Sequence, residues 1–376
     1  MNSLKTSKLT ETKAASRVFE LCGVAKSFED SGEYETAASA LGGLWRGVGV
    51  RPDTKGLAEN EKAAILSRVG ALSGWVGSMQ QVAGSQEMAK DLISEGATLF
   101  EKSGDFQNWA ESRSDLAVCY WREGSFEEAR LVLEDVLGSD VELSPELEGK
   151  ILLRSVNVEI SSRHYSRAMG FIDQAAPLIE NSGSNLLKGK LYFHRALILR
   201  GKGEEENNTA HLKAAVEDYL KAGSFYKKAK HALYAANVES NLGNVFRLLA
   251  DRKSAHSHLD NALRMYVKLK DQSRAALTYD NKARAFLEEN NLKDAETAAR
   301  ASVAMLRDGG ERSALSESLS TLGVVLSRRN NFAEAVHSFV EAKEAALIVD
   351  DRESAGNAVL TQIEELQADL SPAVFR

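Results

Sequence analysis

The chain has 376 residues, 43% of them hydrophobic and 27% charged, and a formal net charge of -7. That length exceeds one ordinary compact core, and the acidic balance argues against a non-specific nucleic-acid binder, whose footprint is basic. Only four prolines interrupt a sequence rich in Ala, Leu, Glu and Lys, residues that lose least on entering a helix.

Residues 1–12 are polar and rich in Ser, Thr and Lys, and read as a flexible arm. A first unit follows, with Val24, Ala25 and Phe28 on one helix, Gly32 and Tyr34 at a turn, and Ala37, Leu41 and Leu44 on a second helix. Its exit is the loop stretch around Pro52. The second unit is less regular: Leu66, Val69 and Gly70 fall on one helix and Ala89 and Ile93 on the next, separated by a long segment, VGSMQQVAGS.

From residue 110 an internal period becomes clear. Leu116, Ala117, Tyr120, Gly124, Phe126, Ala129, Leu133 and Val136 form a third unit. The fourth runs from Ser144-Pro145, an N-cap with Pro in the first turn, through Leu152, Val156, Tyr165, Ala168, Ile172 and Ala175. Tyr192, Ala196, Leu199 and Gly203, then Ala215, Tyr219 and Ala222, make the fifth, and EEENNTAH (204–211) reads as an inserted polar loop between its helices. The sixth carries Leu242, Gly243, Phe246, Ala255, Leu259 and Ala262. The seventh carries Ala283, Phe286, Leu292, Ala295 and Ala299, and the eighth Leu322, Gly323, Leu326, Phe332, Ala335, Phe339 and Ala342. The turn positions Gly124, Arg163, Gly203, Ala250, Asn290 and Asn330 recur about every 40 residues once the insertion is removed. Residues 351–370 are amphipathic with no second helix after them, and read as a capping helix shielding the last unit. Residues 371–376 read as a frayed tail.

Spacing alone gives the physics of a unit. A small residue at Gly243 lets one helix approach the next, where Ala255 offers a matching small surface, and Ala262 admits the helix that comes after. Phe246 and Leu259 fill the remaining space.

This small-large-small signature resembles the tetratricopeptide repeat family, whose unit is a pair of antiparallel helices. The resemblance covers nearly all of 13–368, faintly in the second unit and clearly from 110 onward. The usual period is about 34 residues, so a period nearer 40 places the chain with the long-repeat subgroup of bacterial peptide sensors, kinesin light chains and Leu-Gly-Asn repeat adaptors. The resemblance implies an all-α, right-handed superhelical solenoid of about eight helix pairs with a C-terminal cap. It would be a single repeat domain over 13–370, with irregular units at 13–105, regular units at 110–346 and the cap at 351–370.

In such arrays the first helix of each pair lines the concave wall. Matching the repeats puts Glu111, Ser114, Asp115, Val118 and Trp121 there in the third unit, and Lys150, Arg154 and Asn157 in the fourth. Lys190, Phe193, His194 and Arg200 follow in the fifth, and Asn237, Ser240, Asn241, Asn244 and Arg247 in the sixth. The seventh adds Asp280, Asn281 and Arg284, and the eighth Glu317, Ser320, Thr321 and Arg328. An Asn amide both donates and accepts, so it pairs with the backbone of an extended peptide whatever its side chains. Arg and Lys beside it favour an acidic peptide or a free carboxylate. Asn241 also stands where Asn holds adjacent repeats together, and the basic residues also read as a solvated wall balanced by Glu and Asp.

The catalytic and metal readings find little support. His256 and His258 lie two apart on one helix, so their side chains diverge, and no nucleophile, base and orienting group share a motif. Cys22 and Cys119 read as buried free thiols of a reducing compartment. The N-terminus does not resemble a secretory signal, and no apolar run approaches the ~18 residues that would cross a bilayer. The expectation is a cytoplasmic, non-enzymatic module that binds an extended peptide or partner protein in its groove, with no cofactor, nucleic acid or membrane. The alternative is a ligand-responsive sensor arm of a bacterial signalling or transcription system, and an enzyme such as a repeat-containing phosphatase is a third reading.

Overall fold

The computed structural model describes residues 17–80, 82–309, 312–348 and 352–369. The arm expected at 1–12 and the tail expected at 371–376 lie outside them. The chain divides into two compact units, residues 1–201 and 202–376, and among the described residues all regular structure is helical.

In the first unit, α1 (17–30) is followed by the short α2 (Tyr34–Ala40) and a single 3-10 turn, Gly42–Leu44. Tyr34 therefore starts a helix rather than sitting in a turn, and its ring stacks on Trp75 at 4.9 Å. Then come α3 (Glu59–Met79) and α4 (Ser85–Ser103), α5 (Phe106–Arg122) and α6 (Phe126–Leu137), and α7 (Pro145–Ser161) and α8 (Tyr165–Glu180). Helices α4, α6 and α8 each pack on the helix before them, and the first helices α3, α5 and α7 also touch in series. Helix α9 (Asn185–Glu205) crosses the division at residue 201.

The second unit holds α10 (Thr209–Lys228), then the pairs α11 (Ala232–Leu248) with α12 (Arg252–Leu269), α13 (Gln272–Glu288) with α14 (Leu292–Gly309), and α15 (Arg312–Arg328) with α16 (Phe332–Ile348). Here too α11, α13 and α15 pack in series. Helix α17 (Arg352–Asp369) packs against α15 and α16, with Ala358 buried in their core, which is the role expected of a cap. The architecture is thus all-α and built from repeated helix pairs.

The turns inside the pairs share one device. Gly124, Arg163, Asn207, Ala250, Asn290 and Asn330 all adopt positive φ, between 49° and 79°, which ends one helix in the left-handed conformation. The second helix starts two residues later in each case. Asn208 and Asp251 cap α10 and α12 by accepting from the backbone N–H groups of the first turn. The turn of the fifth pair is therefore Asn207, not Gly203, which lies inside α9. Residues 204–211 do not project as a loop. They lengthen α9 to 21 and α10 to 20 residues, against 17 and 18 for α11 and α12, because extra residues placed in helix keep their backbone groups hydrogen-bonded.

Small residues set the packing distance. A Cβ added at Gly243 would lie 2.6 Å from Leu259 Cγ, and one at Gly323 would lie 2.7 Å from the Phe339 ring. Ala255, Leu259 and Ala262 are fully or almost fully buried, and each large side chain so buried stabilises the fold by roughly 1.5–3 kcal/mol. Gly243→Leu should overpack this contact and cost ~1–3 kcal/mol. Gly170→Ala, where an added Cβ meets nothing within 4 Å, should be neutral or slightly stabilising. Urea unfolding followed by circular dichroism separates the two.

Candidate functional site

The residues expected to face a ligand fall on the first helices of the pairs, and the two units present very different walls. In the first unit the wall is a closed charge network. Lys26 on α1 reaches Glu111 on α5 at 3.1 Å and Glu29 at 3.5 Å. Arg68 on α3 pairs with Glu29, and Arg154 on α7 pairs with Asp115 and bonds to the Ser114 hydroxyl. With Asp30, 3.7 Å from Lys26, three cations thus face four carboxylates from four successive first helices. Burial works against the charge of Glu111, but Lys26, Arg68 and Arg154 hold its carboxyl at about 2. Arg154 is therefore a strut between α5 and α7 and not a cation presented to an acidic ligand.

Apart from Asn157, the other candidates of this unit are similarly engaged. Lys150 pairs with Glu146 at 3.2 Å, and Trp121 donates its indole N–H to Ser161 at 2.8 Å. His194, expected as a contact on the wall, is buried at 9% exposure, and burial pulls its imidazole down to about 4. Its Nδ1 is bonded to the Lys190 carbonyl at 2.7 Å, and Phe193 meets the ring edge-on at 6.0 Å. The ring is thus neutral and committed to its own helix, while Lys190 and Phe193 are half-buried beside it. Asn157, half-buried on α7, has no side-chain hydrogen bond among the described residues.

In the second unit the wall is made by α11, α13 and α15. Asn237 and Asn241 are spent on tyrosines of the second helices. Tyr266 on α12 donates to Asn237 Oδ1 at 2.8 Å, and Tyr219 on α10 donates to Asn241 Oδ1 at 3.3 Å. Asn241 in turn donates to the Asn237 carbonyl at 2.9 Å. Both tyrosines are buried, so these asparagines satisfy hydroxyls that would otherwise be stranded. Of the two readings of Asn241, the geometry gives the one that ties helices together.

Asn244 and Asn281 differ. Asn244 accepts from Arg247 Nε and Nη2 at 3.0 and 2.9 Å, which orients the amide and leaves its N–H₂ without a partner among the described residues. Asn281, half-buried on α13 one repeat after Asn241, has no side-chain hydrogen bond among the described residues. The arginines around them are neutralised internally. Arg247 pairs with Glu288, and Arg284 with Asp280 at 2.7 Å and with Glu317 at 3.8 Å. Asp280 itself is buried at 4% exposure. Further along the same wall Arg328 pairs with Glu365 at 3.2 Å, and Ser320 and Thr321 bond back to carbonyls of α15.

The histidines of α12 diverge as their spacing requires. His256 bonds to Glu289 at 2.9 Å and His258 to Glu239 at 2.8 Å, each ring lying against a phenylalanine, Phe286 and Phe246. Cys22 and Cys119 are free and buried, and burial pushes their thiols up to about 11 and about 12. Among the described residues no cluster could hold a metal, and no helix is long and apolar enough to cross a membrane. Lys26, Glu29 and Arg68, which complete the network, and Tyr219 and Tyr266, which occupy the asparagines, carry no sequence signal for these roles.

No protein-family model matches the sequence, and no curated protein matches it. Solved structures do share its fold. A Rap protein in complex with competence and sporulation factor is 13% identical, with a TM-score of 0.59 over 95% of this chain and 98% of that one. Aspartyl phosphate phosphatase F from Bacillus subtilis is 12% identical, with a TM-score of 0.57 over 76% and 71% of the two chains. A signal transduction ATPase with numerous domains from Pyrococcus horikoshii, which carries a tetratricopeptide repeat sensor, is 13% identical with a TM-score of 0.55. That match covers 93% of this chain, which spans 55% of the ATPase. By fold, the chain is a tetratricopeptide-like helical-repeat protein.

Two measurements check the assignments within the walls. Glu111 is held below its ordinary carboxylate value in the folded chain, so its contribution to stability is present above about pH 4.5 and is lost as pH falls towards about 2. The acid unfolding transition should lie in that window, and Glu111→Gln should weaken its pH dependence. Asn237→Ala should cost about 1–3 kcal/mol by depriving the buried Tyr266 hydroxyl of its acceptor, whereas Asn281→Ala should leave the unfolding midpoint unchanged.

Proposed function

We propose that the chain is a non-enzymatic binding module that takes an extended peptide, free or as a segment of a partner protein, along the α11–α13–α15 wall. The observation that carries this reading is the pair of amides at Asn244 and Asn281. Both are half-buried, and each has hydrogen-bonding capacity that the described residues do not use. An amide that both donates and accepts matches a peptide unit of a ligand backbone, and bonds to backbone are independent of the ligand's side chains. The Rap protein solved with competence and sporulation factor supports the reading at the level of fold.

The ion pairs refine the expected chemistry. With Arg247 and Arg284 held by Glu288, Asp280 and Glu317, this wall offers no surplus positive charge, so it selects for backbone geometry rather than for acidic side chains. A second reading, a ligand-responsive sensor arm in a signalling system, is favoured by the tetratricopeptide repeat sensor among the structures of like fold. It uses the same wall and differs in the consequence of binding, which would be a conformational response rather than capture alone.

An array of extended peptides of varied sequence, read by fluorescence anisotropy, tests the proposal. Asn244→Ala with Asn281→Ala should weaken capture about tenfold, or about 1.4 kcal/mol, with no change in melting temperature. Raising salt from about 50 to about 500 mM should alter affinity little, because the screening acts on charges that are already paired. Affinity that is untouched by the double substitution rejects the wall as the binding site.

A further inference from the structure

Helix α11 has a second working face. Ala235, Val238, Glu239 and Leu242 lie on the side about half a turn away from Asn237, Asn241 and Asn244, given about 100° per residue. On that side α10 and α12 stand apart and leave an open groove of about 550 Å³. Its floor is Leu220, Val238, Leu242 and Met265, and Leu220 is 54% exposed. Its rim is basic from both banks: Lys227 on α10 faces Arg264 and Lys268 on α12.

Two comparisons within the chain set this groove apart. Forty residues on, Leu263 stands at the position of Gly223, and Asp260 and Lys282 replace Leu220 and Leu242 and form an ion pair. A leucine side chain and an ion pair thus stand where this groove has a glycine and two leucines. Between α14 and α16, Arg300 and Arg307 each meet a carboxylate of the next second helix, Glu334 at 2.6 Å and Glu341 at 2.7 Å. The three rim cations of the groove have no such ion pair among the described residues. The one carboxylate lining the groove, Glu239, is hydrogen-bonded by His258 and Asn261 and also feels the charge of Lys227. Lys227 and Lys268 lie in the last turns of α10 and α12, where they complement the helix dipoles. That role accounts neither for Arg264 nor for the apolar floor.

We infer that the groove between α10 and α12 is a docking site for an acidic-apolar peptide segment of a partner protein, bound on the face of α11 opposite the asparagine wall. Apolar side chains of the segment lie on Leu220 and Met265, and its Asp or Glu carboxylates sit between Lys227 and the Arg264–Lys268 bank. In a chain of net charge -7, Arg264 and Lys268 form no ion pair among the described residues, and an anion placed between them and Lys227 relieves the like charges that face each other across the apolar gap. The inference does not rest on the peptide wall, and the two sites respond to different substitutions.

The test uses the full chain and labelled peptides of roughly 12 residues that alternate Asp or Glu with Leu or Phe, beside the same peptides with Asn and Gln in place of the acids. Acidic peptides should bind, and the neutral set should bind about tenfold more weakly or not at all. Arg264→Glu with Lys268→Glu should reduce binding at least about tenfold, and Gly223→Leu should fill the groove. Because Lys268 complements the α12 dipole and a Cβ at Gly223 would lie 3.3 Å from Val238, far-UV circular dichroism at the assay temperature confirms that each variant is folded. Asn244→Ala with Asn281→Ala should leave this binding intact. Binding that survives the charge reversal, or no binding by any acidic-apolar peptide, overturns the inference. So would capture of anionic lipid vesicles in place of peptide, or self-association that is abolished by Gly223→Leu.

Discussion

The whole array depends on how closely two helices of a pair approach, and that distance is set by missing side-chain atoms. Gly243 against Leu259 and Gly323 against Phe339 leave no room for a methyl group, and Ala255, Ala262 and Ala342 present flat, buried surfaces to their neighbours. Large side chains can then interlock around these points and bury most of their surface. The left-handed turn residue that follows α5, α7, α9, α11, α13 and α15 does the complementary work of reversing the chain, with the next helix starting two residues later. Close approach and sharp reversal together make each pair a compact slab that packs on its neighbour within the unit.

Stacking puts the first helices side by side, and the use made of their outward faces is decided by charge balance. The first unit uses its wall to tie successive slabs together, with every described cation of the network matched to a carboxylate. Removing one partner from such a network leaves a poorly hydrated charge behind, which is more costly than the net worth of the pair. The second unit matches the arginines of its wall as well and leaves two amides there with unused capacity, where the first leaves Asn157. Polarity on a wall is thus no guide to binding until the internal partners have been accounted for.

The second helices show the same principle from the other side. Where opposite charges face each other, as between α14 and α16, they bridge the step with ion pairs. Where Lys227 faces Arg264 and Lys268 above an apolar floor, it is open. A single repeat geometry therefore yields bridged steps or an open groove according to which residues occupy equivalent positions.

The amino-acid sequence by itself determined the helical-pair architecture, the order of the pairs with a final cap, and the close approaches at Gly243 and Gly323. These come from local periodicity and from residue size, which act over a few turns of helix and are visible in one segment at a time. It did not reveal that residues 204–211 extend two helices, since a polar run can be a loop or the solvated end of a helix. Nor did it reveal which wall residues are free. Arg154 reads as a ligand cation until Asp115 is found beside it, and Asn237 and Asn241 read like Asn244 and Asn281 until Tyr266 and Tyr219 reach them from other helices. Those partners are separated by 22 to 39 residues, and only the packing of one slab on another brings them within a hydrogen bond.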